Sequence, residues 1–359
     1  MLHALIMAGG GGTRFWPRSR QQKPKQFLTL VGASSLLQQA LERIEVLVPP
    51  ARTWIITGAT YCAETARQLP SLPAERIVGE PCGRDTAACI GLGAALVARD
   101  DPEGVMLVMP ADHVIEPPQE FRRATLVAEQ MVLEHPGALV TFGIHPTFAA
   151  TGYGYMERGA ELTRRQGIPI FRVASVREKP PVDLAAEFVA SGRHYWNSGI
   201  FVWRAATILR ELRANQPKLA GAVQRIAAAW DTPQSDKVLT EEYAALDKIS
   251  IDYAVMEKAT DVLMVEAPFL WDDVGSWLAL ERRHPQDAHD NTVLANHLGI
   301  DTHHCVIAGD GGRFIATIGV SDLIIIQDGD AVLVAHRQVE GSIKKLVEQL
   351  KERGLEKYL

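Results

Sequence analysis

Four consecutive glycines, Gly9 to Gly12, come one residue after the apolar run Ala4–Met7. An apolar run that short reads as a buried strand, and the glycines read as the loop it enters. With no side chains to shield them, the N–H groups of such a loop can close around an anion. Five basic residues follow at once, Arg14, Arg18, Arg20, Lys23 and Lys25, and no acid precedes Glu42. A strand, an anion-cradling loop and a dense local positive charge together suit a polyanion, and a nucleoside triphosphate is the expectation.

The local charge matters because the chain as a whole is acidic. It has 359 residues, with 37 basic against 43 acidic side chains and a net charge of −6. That balance argues against a general nucleic-acid or anionic-membrane surface. The 47% of hydrophobic residues allows a large core plus a smaller unit. The four cysteines, Cys62, Cys82, Cys89 and Cys305, show no metal-binding spacing and read as free thiols in a reducing compartment. Without a signal-like start or an apolar stretch of bilayer length, the expectation is a cytoplasmic protein.

Strand-like and helix-like segments alternate through the first half. Strands are predicted at Ala4–Ala8, Trp54–Thr57, Arg76–Val78, Val105–Met109 and Ala138–Gly143, and helices at Ser35–Val46, Thr86–Arg99 and Phe121–Leu133. Ser35 with Gln38 forms a capping-box pattern. The alternation predicts an α/β fold, a doubly wound and mostly parallel sheet, with ligands beyond the carboxyl ends of its strands. From Thr151 the pattern changes. Extended pieces at Gly152–Tyr155, Ile170–Val176 and Gly199–Val202 alternate with helices at Val182–Ala190, Ala205–Arg213, Lys218–Ala229 and Asp252–Lys258. The polar stretch His284–Asp290 marks a boundary, giving a catalytic domain over 1–285 and a small β-rich, solenoid-like module over 286–359 that ends in a helix at Ser342–Arg353.

Known phosphate loops do not match. Phe15 stands where a dinucleotide fingerprint needs its third glycine, and no Walker A pattern is present. Instead, Gly9-Gly10-Gly11-Gly12-Thr13-Arg14-Phe15-Trp16-Pro17-Arg18-Ser19 with Lys23-Pro24-Lys25-Gln26-Phe27 resembles the signature of the sugar-phosphate nucleotidylyltransferases. Its Trp-Pro and Pro-Lys-Gln-Phe details resemble the mannose-1-phosphate guanylyltransferase branch. Further blocks agree in order: Glu80-Pro81 with Gly83–Ala87, Pro110–His113, Thr151–Tyr155, Glu178–Pro180, Trp196–Gly199, Ser250–Tyr253 and Trp271–Trp277. The resemblance spans nearly the whole chain. It implies transfer of GMP from GTP to mannose 1-phosphate with Mg²⁺, in a homodimer joined through the C-terminal module. A sibling transferase with another nucleotide or sugar phosphate, or a non-catalytic paralogue, are the alternatives.

The resemblance also distributes roles. Ala8, Gly9–Gly12 (Gly10 and Gly11 between them), Thr13, Arg14 and Lys25 are expected on the triphosphate, where cations must offset the repulsion between two anionic substrates. Asp112, beyond a buried strand, is a Mg²⁺ ligand or a helix cap. Its metal partner is expected to be Asp273, with Asp272 either supporting a metal ligand from behind or structural. Glu80 reads the guanine donors or is a strand-end surface acid, with Arg84, Asp85 and Thr86 near base or ribose. Gly152, Tyr153, Gly154, Glu178, Lys179 and Asn197 are expected on the sugar phosphate. Arg18 and Arg20 are either phosphate ligands or solvated charges. Phe15 and Arg18 stand where the family usually has leucine, Asp85 where it has asparagine, and Arg177 where it often has valine. His113 is not needed as a base, because a phosphate monoester is already a nucleophile near neutral pH.

Overall fold

The computed structural model describes all 359 residues. They form two compact units. The first holds residues 1–9, 40–111 and 115–271; the second holds 10–39, 112–114 and 272–359. The glycine turn therefore straddles the partition: Gly9 falls in the first unit and Gly10 in the second.

The first unit is built on strands β1 (Leu2–Ala8), β2 (Thr53–Gly58), β3 (Ile77–Glu80) and β4 (Val105–Pro110). After the short β5 (Val114–Glu116) come β6 (Leu139–Ile144), β7 (Tyr155–Arg165), β8 (Ile168–Arg177), β9 (His194–Arg204) and β10 (Val262–Glu266). The nine-stranded sheet runs β3-β2-β1-β4-β9-β6-β10-β8-β7. Its first four strands are parallel, and β9 enters antiparallel between β4 and β6. Strands such as β1 and β4 are buried almost throughout, which is why they read as unbroken apolar runs.

Helix α1 (Leu36–Ile44) begins with the reciprocal hydrogen bonds of a capping box. Gln38 N donates to Ser35 Oγ at 3.2 Å, and Ser35 N donates to Gln38 Oε1 at 3.0 Å. The short α2 (Cys62–Gln68) was not predicted from the sequence. Helix α3 (Asp85–Asp100) is so rich in alanine and glycine that it packs tightly on the sheet, and α4 spans Pro118–Glu134. Helices α5 (Val182–Ser191), α6 (Ala205–Asn215) and α7 (Pro217–Ala229) match the predicted segments; α8 (Ser235–Ala244) was missed. The helix expected at Asp252–Lys258 is one wide π-turn, Asp252–Met256. The main core of this unit packs α3, α6 and α7 with Leu5, Trp54, Phe201 and Trp203.

In the second unit, after β11 (Leu270–Asp272) on the boundary, come β12 (Thr292–Leu294), β13 (His297–His303), β14 (Val306–Ala308), β15 (Ile315–Ser321), β16 (Leu323–Asp328) and β17 (Ala331–His336). Parallel partners lie 18 positions apart between β13 and β15 and between β14 and β16, His297 with Ile315 and Val306 with Ile324, and 14 apart between β12 and β14, Thr292 with Val306. The 18-residue step is the solenoid period, entered through a shorter first coil, and the irregular apolar spacing had half hidden it. Helix α9 (Ile343–Glu352) follows. The core of this unit also contains Phe15, Trp16, Leu28 and Leu30, clustered with Trp277, Val306 and Ile324.

Candidate active site

The residues singled out from the sequence fall into three groups. In the second unit, Lys25 sits at the start of a single 3-10 turn after Pro24. Its side chain is 8% exposed, and its Nζ donates to Asp112 Oδ2 at 2.7 Å and to the Asp273 carbonyl at 2.6 Å. One ammonium thus holds the two acids' segments together. Burial pushes the Asp112 carboxyl up, but Lys25 and His113 more than offset it, and it lies below the usual range. Gly12 abuts the same lysine: at φ 55°, a Cβ there would come 2.4 Å from Lys25 Cβ, so only glycine fits this close, left-handed approach.

Asp273 opens a tight turn. Its Oδ1 accepts from Gly275 N at 3.1 Å, and the intervening Val274 is buried at φ 42°, a costly conformation for a β-branched residue. Strain of this kind persists only where the surroundings enforce it. Asp272 is bound within the fold: Arg282 grips both its oxygens at 2.7 and 2.9 Å, and Val274 N adds a third bond at 2.8 Å. Arg14 is exposed at the end of the glycine turn, with Gly10, Gly11 and Thr13.

Arg18 and Arg20 resolve away from phosphate. Arg18 donates to the Gly309 carbonyl at 2.8 Å and pairs with Asp328 at 3.4 Å; Arg20 pairs with Asp330 at 2.7 Å. Both tie the N-terminal segment to the β-module. Phe15 packs on Trp277 at 5.1 Å between ring centroids, and the Arg18 guanidinium lies 5.6 Å from the same ring. The two departures from the family's leucines therefore share one aromatic neighbour.

The second group lies in the first unit at the ends of β1 and β3. Ala8 is buried, its carbonyl accepting from Thr57 Oγ1 at 2.8 Å. Glu80 is 8% exposed. Burial lifts its carboxyl to about 7; the Tyr243 hydroxyl, which donates to Oε1, pulls against that, and Asp85 adds to it. A Cβ on Gly9 would lie 3.6 Å from the other oxygen, Oε2. The neighbouring residues are committed to structure. Arg84 donates to the carbonyls of Tyr243 (3.1 Å) and Ala244, capping the end of α8. Asp85, at φ 65°, accepts from Thr86 N at 2.8 Å, and Thr86 Oγ1 accepts from Ile251 N at 2.8 Å. A left-handed position tolerates aspartate as it does asparagine, so the Asp85 exchange keeps the backbone intact.

The third group, also in the first unit, gathers most of the sugar-phosphate candidates. A Cβ on Gly154 would collide with Glu178 Oε2 at 2.4 Å and touch Asn197 Cβ at 3.4 Å, whereas Gly152 is exposed with open space around it. The close approach that needs glycine is therefore at 154. Asn197 N donates to the Gly154 carbonyl at 2.8 Å, and Lys179 N to the Tyr153 carbonyl at 3.2 Å. Lys179, at φ 46°, sends Nζ to Glu178 Oε1 at 2.7 Å while its side chain stays 54% exposed. The Asn197 carbonyl oxygen accepts from Thr141 Oγ1 (3.2 Å) and Gly199 N (3.3 Å), and its Nδ2 donates to Asp252 Oδ1 at 2.8 Å. These bonds use one of its two amide hydrogens.

Sequence reasoning gave no role to Asp252 or Tyr243. Asp252 is pushed up to about 7, by desolvation first and by Glu178 next. An acid following Ile251 in an otherwise apolar segment was the available signal. Tyr243 lay in a helix the sequence had not revealed. Tyr153 is braced by Trp196 at 5.1 Å and Trp271 at 5.2 Å, an aromatic wall beside this group.

A nucleotidyl transferase family model matches residues 3–290, more than half of the chain. The chain belongs to the nucleotidyl transferase family. A model described as the MannoseP isomerase/GMP-like beta-helix domain matches residues 295–350, in keeping with the 18-residue coils. The chain is 39% identical to a mannose-1-phosphate guanylyltransferase of Escherichia coli K12, over 98% of this chain and 74% of that protein. It is 40% identical to one of Klebsiella pneumoniae, over 100% and 76%. A solved structure from Thermus thermophilus, called mannose-1-phosphate geranyltransferase, is 38% identical, with a TM-score of 0.85 over 98% of this chain and 99% of that one. The resemblance read from the sequence to the guanylyltransferase branch of these nucleotidyl transferases is thus matched along the whole chain.

Proposed function

We propose that this nucleotidyl transferase joins GTP and α-D-mannose 1-phosphate, giving GDP-mannose and pyrophosphate. The observation that carries the reading is the buried Lys25 ammonium bonded to both Asp112 and the Asp273 backbone, with Gly12 packed against it. A sugar-phosphate oxygen attacks the α-phosphorus in line. The new P–O bond forms as the bond to the bridging oxygen breaks, and pyrophosphate leaves with that electron pair. No proton has to be removed, so no general base is assigned.

Ala8 to Arg14 and Lys25 bind the triphosphate, Arg14 as a planar fork and Lys25 as a point charge. Glu80 accepts from the guanine N1–H and N2–H groups. Arg84, Asp85 and Thr86 support that end of the nucleotide by shaping the start of α3. Lys179 binds the sugar phosphate, and Glu178, Asn197, Gly152, Tyr153 and Gly154 receive the hexose. Two hard oxygen donors, one held ionised, suit Mg²⁺, and Asp112 with Asp273 would hold it. When bound, the ion supplies neutralising charge for the phosphates. We take 1–285 as the catalytic domain and 286–359 as the β-rich module, in a cytoplasmic homodimer.

The test is turnover of each nucleoside triphosphate with each sugar 1-phosphate, with product read by chromatography. GDP-mannose is expected as the fastest-formed product. Faster use of UTP or dTTP than of GTP overturns the assignment.

A further inference from the structure

The base-facing carboxylate has a partner with no role in the reaction as described. Tyr243 is fully buried on α8. Its hydroxyl donates to Glu80 Oε1, while Oε2 lies beside Gly9. The α8 end that carries Tyr243 is pinned in turn by the Arg84 fork on the carbonyls of residues 243 and 244. We propose that Tyr243 is a positioning residue for nucleotide selection, holding Glu80 in the orientation and the ionised form that accept two adjacent donors of a guanine ring. The inference rests on the guanylyl reading above.

The chemistry follows from the surroundings. The groups around the pair are Asp85 and Cys89 from α3 and Cys82 from the loop before it. None is a cation, and the nearby Arg84 is spent on carbonyls. Glu80 therefore ionises in a pocket that disfavours charge, and the Tyr243 O–H opposes that tendency. An ionised carboxylate accepts two hydrogen bonds from N1–H and N2–H; a protonated one turns a donor toward a donor. Loss of the hydroxyl frees the carboxyl to rotate and raises the pH at which it ionises.

The experiment compares kcat/KM for GTP and for inosine triphosphate, whose base lacks the exocyclic amine, with mannose 1-phosphate across pH. In the parent, activity with GTP is expected to fall as pH drops through the Glu80 ionisation, near 7. In Tyr243→Phe, which keeps the ring, that limb moves up by about half a unit or more, and the preference for GTP over inosine triphosphate at neutral pH drops about 3- to 10-fold. Glu80→Gln abolishes the acid limb, and Tyr243→Phe adds nothing further in that background, a coupling that a purely structural tyrosine would not show. An unmoved limb and an unchanged preference in Tyr243→Phe overturn the inference while leaving the guanylyl reading intact. A parent with no preference for GTP over inosine triphosphate overturns Glu80 as the reader of the exocyclic amine, and the inference with it; the guanylyl reading falls only if UTP or dTTP is used faster than GTP. If Tyr243→Phe does not fold, Glu80→Gln decides: an acid limb that survives there rejects Glu80 as the titrating group and the inference with it.

Discussion

Two lysine–carboxylate pairs have the same N–O separation of 2.7 Å and opposite exposure. In the second unit the Lys25 side chain is 8% exposed and Asp112 33%; in the first unit Lys179 is 54% exposed and Glu178 8%. The buried member of each pair fixes the geometry, and the open member faces solvent. The second unit thus presents a carboxylate, which suits a cation, and the first an ammonium, which suits a phosphate. The same ion pair, turned inside out, offers opposite charges to solvent in the two units.

The contrast can be broken by mutation. The largest effect is expected from Asp273→Asn, which keeps the turn's hydrogen bond but removes charge: kcat should fall roughly 100- to 1000-fold with the circular dichroism spectrum unchanged. An unaltered kcat would reject its place among the reacting groups. Lys25→Met comes next, with kcat/KM for GTP down about 10- to 100-fold and a lower Tm, because Asp112 loses its buried partner. If only the KM for mannose 1-phosphate moved, the triphosphate role of Lys25 would be wrong. Lys179→Ala should raise that KM about tenfold and lower Tm less than Lys25→Met does, since the lysine end of this pair is half-exposed and screened by solvent. A fall in Tm as large as that of Lys25→Met would erase the distinction between the pairs.

The smallest effect concerns pH. Asp252 holds its proton up to about pH 7 in the folded chain, against 3.8 ordinarily. The folded form therefore binds the proton more tightly, and this group's contribution to stability is lost as pH rises through that window. Asp252→Asn should raise Tm at pH 8 by about 1–3 °C and leave it unchanged near pH 4. Calorimetry showing the larger difference at the acid end would reverse the sign and refute the argument.

The α/β alternation was readable because strands covered on both faces carry uninterrupted apolar runs, as in Val105–Met109. The α1 cap was readable because its two partners are three residues apart. Helix α8 was not: it is largely polar, and Leu239 and Tyr243 are its only buried residues. The fates of Arg18 and Arg20 were equally hidden, since their partners, Asp328 and Asp330, each lie 310 positions away in sequence. Motif residues could be named from sequence, but which of two adjacent acids is bound to arginine, as Asp272 is, depends on the fold.

The roots of the glycine turn carry a practical consequence. Phe15, Trp16 and Arg18 are anchored to Trp277, Gly309 and Asp328. Residues 10–28 cannot then be grafted as a cassette between homologues. A chimera that swaps them without Trp277 and the matching solenoid coils would leave a buried ring mismatched and an arginine stranded, so viable crossovers should exchange all of these stretches at once.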